Sequence, residues 1–147
     1  MKYFAYGSNL DVAQMQRRCP QASVIGVGRL LEYDLQFQYE SQNWGGGVAN
    51  IIGSPGGEVW GLVYLVDSIC LDSLDVFEGA PTIYVRSVHS VMMGTERCES
   101  WAFHLAEKHP HVPPSRAYLE LILTACRDLK FPNHYREAIL RAAIPVA

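Results

Sequence analysis

Residues 29–39 alternate between apolar and polar side chains, strictly so from Leu31 onward. One face carries Leu31, Tyr33, Leu35, Phe37 and Tyr39, and the other carries Glu32, Asp34, Gln36 and Gln38. A period of two residues is typical of a β-strand that buries one face and exposes the other. The segment therefore predicts a half-buried strand, which needs a sheet and further packed elements to cover its apolar side.

Six further segments have strand character, at residues 3–6, 23–27, 48–52, 58–66, 83–93 and 97–105. Ser54-Pro55-Gly56-Gly57 separates two of them and predicts a hairpin turn, because proline pre-sets φ and glycine accepts a positive φ. Gly94-Thr95 predicts the turn of another hairpin. Consecutive hairpins of this kind indicate antiparallel pairing.

Helical periodicity appears at residues 67–77, from Pro113-Pro114-Ser115 to about residue 130, and at residues 132–143. A shorter segment from Asp11 onward also has helical character, so the chain combines these strands with about four helices. The predicted fold class is α+β, a small barrel or strongly curled sheet, mostly antiparallel, with helices gathered at its ends.

Composition narrows the class of protein. The chain has 147 residues, of which 49% are hydrophobic and 18% charged, and this predicts one globular domain over residues 1–147. A net charge of −3 argues against a nucleic-acid partner. The sequence contains no run of 18 apolar residues and no signal-peptide pattern, so we expect no membrane span and a cytoplasmic location.

The cysteines and histidines give little support for a metal or redox site. Cys19, Cys70, Cys98 and Cys126 are widely spaced and contain no C-x-x-C pair, which favours free or buried thiols in a reducing compartment. His109 and His111 share a proline-rich loop without a third ligand nearby in sequence. We therefore expect no metal and no cofactor.

The first ten residues combine a short apolar strand with the turn-forming Gly7, Ser8 and Asn9. A strand that leads through such a turn into a helix leaves backbone N–H groups free to hold an anionic group. An ordinary strand-to-helix connection would have the same sequence pattern. These residues alone leave both interpretations open.

Glu78 is the acid of most interest, because it follows Leu74 and Phe77 at a predicted helix end. Partial burial there would raise its pKa toward neutrality and suit it to general acid/base catalysis. A solvated loop glutamate is the alternative. Tyr84 and Tyr118 could bind a ligand through their hydroxyls, although core packing is the usual role of such tyrosines.

Four segments together resemble the γ-glutamylcyclotransferases of the AIG2-like superfamily. Residues 3–10 match the family's YGSNL substrate loop. Residues 44–64 resemble its central hairpin. The tract around its catalytic glutamate is similar to residues 74–79 with Tyr84-Val85. Its C-terminal helices are similar to Pro113-Pro114-Ser115 with Tyr118 and to Tyr135-Arg136-Glu137. The resemblance covers residues 2–143.

The resemblance implies a small mixed β-barrel with helices packed around it. It also implies conversion of a γ-glutamyl amide to 5-oxoproline, with release of an amine. Glu78 falls at the position of the catalytic acid/base, and Tyr6, Gly7, Ser8, Asn9 and Leu10 form the loop that holds the γ-glutamyl group. Tyr84 and Tyr118 fall where family tyrosines approach the site.

Two matters stay open from the sequence. The fold could serve as a non-catalytic binding or interaction module, although a retained Glu78 favours an enzyme. The expected partner is a small γ-glutamyl substrate, and both a monomer and a homodimer are compatible with the sequence.

Overall fold

A closed barrel of five strands forms the centre of the computed structural model, which describes residues 1–144. The strands are β1 (Lys2–Ala5), β2 (Ser23–Ser41), β3 (Gly46–Leu65), β4 (Tyr84–Met93) and β5 (Glu96–Leu105). The helices are α1 (Val12–Arg18), α2 (Ser68–Glu78), α3 (Arg116–Asp128) and α4 (Asn133–Ala143), and a 3-10 turn covers Ser8–Leu10. The expected α+β class is confirmed.

The barrel closes through its shortest strand. The strand order is β1-β3-β2-β4-β5, and β1 meets β5 in a parallel pair at Tyr3 and Trp101. All other neighbouring strands are antiparallel. The barrel is therefore mixed and mostly antiparallel, as the sequence and the resemblance predicted.

The hairpin turn predicted at residues 54–57 is wrong. β3 continues through these residues and pairs with β2 on both sides of them, so four residues of β3 lie opposite the single residue Glu32. Glu32 and Gly56 have φ values of 68° and 80°, and the Gly56 N–H donates to the Glu32 carboxylate at 2.9 Å. The Pro-Gly-Gly sequence thus forms a large bulge within β3. The turn of the β2–β3 hairpin lies at residues 42–45 instead.

The interior of the barrel is apolar and closely packed. Phe4, Val59 and Val63 are completely buried. Gly61 lies against β1 so closely that a Cβ atom there would collide with the Ala5 carbonyl oxygen and the Phe4 ring. A residue without a side chain is therefore required where β3 supports β1.

Both ends of α2 are defined by local interactions. The Asp67 carboxylate accepts a hydrogen bond from the Cys70 N–H at 2.8 Å and caps the N-terminus. Gly79 adopts the left-handed conformation, with φ of 66°, and caps the C-terminus. Since the buried Leu74 holds the helix against the barrel, these caps place Glu78 at the helix end as its last residue.

Helices α3 and α4 pack outside the barrel. The Ser115 hydroxyl caps α3 by accepting from the Tyr118 N–H at 3.3 Å, and Tyr118 is buried. α4 lies against β2 and buries Tyr135 and Ile139. Among residues 1–144, no helix has the length and apolar character needed to cross a bilayer.

Cys19 and Cys70 form a disulfide with their Cα atoms 5.3 Å apart. This corrects the prediction of free thiols for these two residues, whereas Cys98 and Cys126 are free. The bonded cysteines are separated by 51 residues and meet because α1 ends beside the first turn of α2. Spacing along the chain carries no information about such a tertiary contact.

Reduction of the disulfide should destabilise the fold. A cross-link that closes a loop of this length is worth about 2–4 kcal/mol, mainly through the entropy of the unfolded chain. Urea unfolding with and without a thiol reductant measures the difference. A Cys19→Ala/Cys70→Ala variant serves as the control, since its stability should not respond to reductant, and equal stability of the oxidised and reduced wild type would contradict the prediction.

Candidate active site

A cavity of about 360 Å³ opens where the loop after β1, the turn of the β2–β3 hairpin and the end of α2 meet. Its wall combines aromatic rings with many polar side chains, which can orient a small polar ligand. Among the described residues, Arg18 and Glu78 are the only charged side chains that line it.

The cavity brings together seven of the eight residues that were predicted for the site, Tyr6, Gly7, Ser8, Asn9, Glu78, Tyr84 and Tyr118. Leu10 does not line the cavity. It is only 3% exposed and belongs to the hydrophobic core. Leu10 therefore anchors the end of the loop instead of facing a ligand.

Asn9 holds the loop in place through a fully buried side-chain amide. Its Oδ1 accepts hydrogen bonds from Gln14 Nε2 and from an Arg18 guanidinium nitrogen, both at 3.1 Å. Its Nδ2 donates to the Tyr3 hydroxyl at 2.9 Å, and its carbonyl oxygen accepts from the Tyr64 hydroxyl at 2.8 Å. Asn9 thus joins β1, β3 and α1 to the loop.

The loop presents unpaired backbone donors at the cavity. The Leu10 N–H is satisfied by the Gly7 carbonyl at 3.1 Å. The N–H groups of Gly7, Ser8 and Asn9 have no acceptor among residues 1–144, because they precede the first bond of the 3-10 turn. Three consecutive donors of this kind suit a carbonyl or carboxylate oxygen.

Two tyrosines hold the backbone of one residue of β3, Ala49, between them. The Tyr84 hydroxyl donates to the Ala49 carbonyl oxygen at 2.8 Å, and the Ala49 N–H donates to the Tyr118 oxygen at 2.9 Å. The Tyr6 hydroxyl donates to the Phe103 carbonyl. Tyr118 therefore keeps its own proton available, whereas Tyr6 and Tyr84 have committed theirs to the backbone.

The phenols of the cavity stay protonated at neutral pH. Burial raises the pKa of Tyr6, Tyr84 and Tyr118 well above the ordinary value, and the nearby Glu78 carboxylate raises each of them further. These hydroxyls can therefore act as hydrogen-bond donors or acceptors and not as bases.

Glu78 is the titratable group of the cavity. Burial raises its pKa from 4.5 to about 7, and the positive charge of Arg18 acts in the opposite direction. A carboxyl group with a pKa near 7 exchanges protons readily in both directions at neutral pH. Glu78 is partly buried, and its role as an acid/base stays a prediction.

Arg18 is a residue of the cavity that the sequence analysis missed. Its guanidinium lies over the Phe77 ring, with Cζ 4.8 Å from the ring centroid. Gln14 and Arg18 occupy one face of α1 four residues apart, and both bond the Asn9 side chain. This helical spacing after the Gly7-Ser8-Asn9 turn is the signal that could have identified it.

The described residues do not form a metal centre. Within residues 1–144, no group of three histidine, cysteine, aspartate or glutamate side chains is placed so that it could hold a metal ion. His111 instead bonds the Ala142 carbonyl oxygen at 2.8 Å.

Comparison with known proteins identifies the family. The family model "Gamma-glutamyl cyclotransferase, AIG2-like" matches residues 3–120. A γ-glutamylcyclotransferase from Homo sapiens is 36% identical over 147 residues, covering 93% of this chain and 76% of the human protein. The Bos taurus enzyme of the same name is 34% identical over 145 residues, with the same coverage of both chains.

A solved structure of a γ-glutamyl cyclotransferase superposes on the model with a TM-score of 0.90 and 32% sequence identity. The match covers 99% of this chain and 89% of that structure. The chain therefore belongs to the γ-glutamyl cyclotransferase, AIG2-like family, and the matched region includes every residue described above as lining the cavity.

A stability measurement tests the environment of Glu78. Its pKa is higher in the folded protein than the ordinary 4.5. Below pH 4.5 the carboxyl is protonated in both the folded and the unfolded chain, so its ionisation does not affect stability. As pH rises toward 7, ionisation favours the unfolded chain and lowers the free energy of unfolding. Glu78→Gln should equal the wild type in free energy of unfolding at pH 4 and exceed it at pH 8. A variant less stable than the wild type at pH 8, by chemical denaturation, would mean that the carboxylate is stabilised in the fold.

Proposed function

We propose that this protein is a γ-glutamylcyclotransferase, which converts a γ-glutamyl amide to 5-oxoproline and releases the amine. The observation that carries the proposal is the combination of Glu78, with a pKa raised to about 7, and the unpaired N–H groups of the Gly7-Ser8-Asn9 loop in one cavity. Family membership supports the same reaction.

The first task is to fold the substrate so that its α-amine meets its γ-carbonyl carbon. Both groups belong to one molecule, and correct placement of such groups can supply a large part of the rate enhancement. The loop after β1 suits the glutamyl half, because its backbone donors bind oxygen atoms and do not contact a side chain farther out. A cavity of about 360 Å³ has room for a small γ-glutamyl compound.

The proton transfers fall to Glu78. Its carboxylate takes a proton from the α-ammonium group, and the freed amine attacks the γ-carbonyl carbon to give a tetrahedral oxyanion. Glu78 then returns the proton to the leaving nitrogen, and the bond between that nitrogen and the former γ-carbonyl carbon breaks. The ring nitrogen still carries a second proton from the original ammonium group, which Glu78 removes and passes to the released amine, so that the products are neutral lactam and an ammonium ion. One carboxyl group thus acts first as base and then as acid, and it ends the cycle in its starting state.

The developing oxyanion needs hydrogen-bond donors. The Gly7 and Ser8 N–H groups are unpaired, and the Tyr118 hydroxyl retains its proton because its oxygen accepts from Ala49. Donors fixed in place before the reaction stabilise charge without reorganisation. Tyr84 acts indirectly, since it bonds the carbonyl of Ala49, the residue whose N–H orients Tyr118.

Loss of the Glu78 carboxylate should abolish most of the turnover. Glu78→Gln preserves the shape of the side chain and should lower kcat for 5-oxoproline release from γ-glutamyl-alanine by about 10²–10⁴-fold, the usual share of a general acid/base. Product release is followed by chromatography. A wild-type protein that binds γ-glutamyl-alanine without forming 5-oxoproline would instead indicate a binding module.

Space at Gly7 should be required for activity. A Cβ atom there would lie 3.0 Å from the Tyr118 hydroxyl oxygen, so Gly7→Val should displace that hydroxyl and lower kcat/KM by about 10-fold or more. Gly53→Ala is the matched control, because a Cβ at Gly53 meets no atom within 4 Å. Wild-type activity in Gly7→Val would remove Tyr118 from the proposed oxyanion site.

The compartment and the assembly stay predictions. Detection of the protein in fractionated cells tests the cytoplasmic location. Light scattering of the purified protein distinguishes a homodimer from a monomer.

A further inference from the structure

The cavity contains one cation that the proposed proton transfers do not use. Arg18 lines it together with Glu78. Among the described residues, no carboxylate lies within 4 Å of the Arg18 guanidinium, unlike Arg29, Arg86, Arg116 and Arg127, which all pair with acids. A guanidinium in a binding cavity without an acidic partner is suited to bind an anionic ligand.

The guanidinium is held from two sides and still has unused donors. One nitrogen donates to Asn9 Oδ1 at 3.1 Å, and the planar group lies over the Phe77 ring. An arginine side chain offers five N–H donors. The other Arg18 donors have no acceptor among residues 1–144.

The backbone at Arg18 is also fixed. Its carbonyl oxygen accepts from the Ser73 hydroxyl at 3.2 Å, and the next residue, Cys19, is bonded to Cys70. Both contacts join the end of α1 to α2, the helix that ends in Glu78. Arg18 and Glu78 therefore belong to one connected unit, and their separation is set by the fold.

We infer that Arg18 binds the α-carboxylate of the γ-glutamyl group and thereby turns the α-amine toward Glu78. This inference rests on the proposed function. The α-amine and the α-carboxylate share one carbon atom, so an amine within reach of Glu78 brings its carboxylate near the same acid. Two carboxylates this close repel each other unless a cation lies beside them, and Arg18 is the cation that the cavity offers.

A second carboxylate could compete for this position. When the leaving group is an amino acid, it carries a carboxylate close to the scissile bond. The position of Arg18 favours the glutamyl carboxylate, because Arg18 is hydrogen-bonded to Asn9 of the loop that is proposed to hold the glutamyl half. The predicted substrates are γ-glutamyl amides with a free α-amine and a free α-carboxylate, whether or not the leaving amine carries a carboxylate.

Two ligand pairs separate the alternatives. 5-Oxoproline and 2-pyrrolidinone are the same lactam with and without the carboxylate, and both can be measured as competitive inhibitors. γ-Glutamyl-alanine and γ-glutamyl-ethylamide differ in the carboxylate of the leaving group. The variants are Arg18→Gln, Arg18→Lys and, as matched control, Arg17→Ala, which removes the same charge from the exposed neighbouring position.

We expect Arg18→Gln to weaken inhibition by 5-oxoproline by about 10- to 100-fold, the effect of losing a charge-assisted hydrogen bond, and to leave 2-pyrrolidinone unchanged. Its loss in kcat/KM should be the same for γ-glutamyl-alanine and γ-glutamyl-ethylamide, with partial recovery in Arg18→Lys. Arg17→Ala should resemble the wild type in every assay.

Three results would overturn the inference. An equal weakening of 5-oxoproline and 2-pyrrolidinone would give Arg18 a purely structural role. A loss confined to γ-glutamyl-alanine would assign it to the leaving group, and unchanged inhibition would remove it from binding. Failure of the wild type to release 5-oxoproline would instead contradict the proposed function, so the two failures are distinguishable.

Discussion

The hydrogen bonds of the buried Asn9 amide are the interactions on which the site depends. They join the end of β1 and the following loop to α1. Through Arg18, the same network reaches Phe77 and the end of α2. The loop donors, the cation and the acid are thus linked through one buried side chain.

Burial and a neighbouring cation together set the proton affinity of Glu78. Desolvation raises the pKa of this acid. Arg18 lowers the pKa in part, so the net value is about 7. The same cation is inferred to bind the substrate. A carboxylate bound to Arg18 would change the electrostatic field at Glu78. Substrate and acid are therefore expected to titrate as a coupled set.

Local sequence patterns predicted most of the strands and helices. Contacts between residues far apart in the chain determined how these elements pair and pack. The alternation at residues 29–39 lies within β2, and α2 ends at Glu78 because Gly79 is well suited to a left-handed cap. The sequence of residues 54–57 predicts a hairpin turn. That prediction is wrong because proline and glycine also suit a bulge within a continuous strand. The Cys19–Cys70 bond and the contact of Arg18 with the Phe77 ring depend on the approach of α1 to α2, which the spacing of these residues along the chain does not reveal.

The pKa of Glu78 in the folded protein tests the central claim most directly. Glutamate labelled with carbon-13 at the side-chain carboxyl gives a resonance for each residue, and the one missing in Glu78→Gln identifies Glu78. Titration of its chemical shift should give a midpoint at about pH 7. A midpoint at 4.5, the ordinary value for glutamate, would show that the carboxyl is fully solvated and would contradict its role as the acid and base of the reaction.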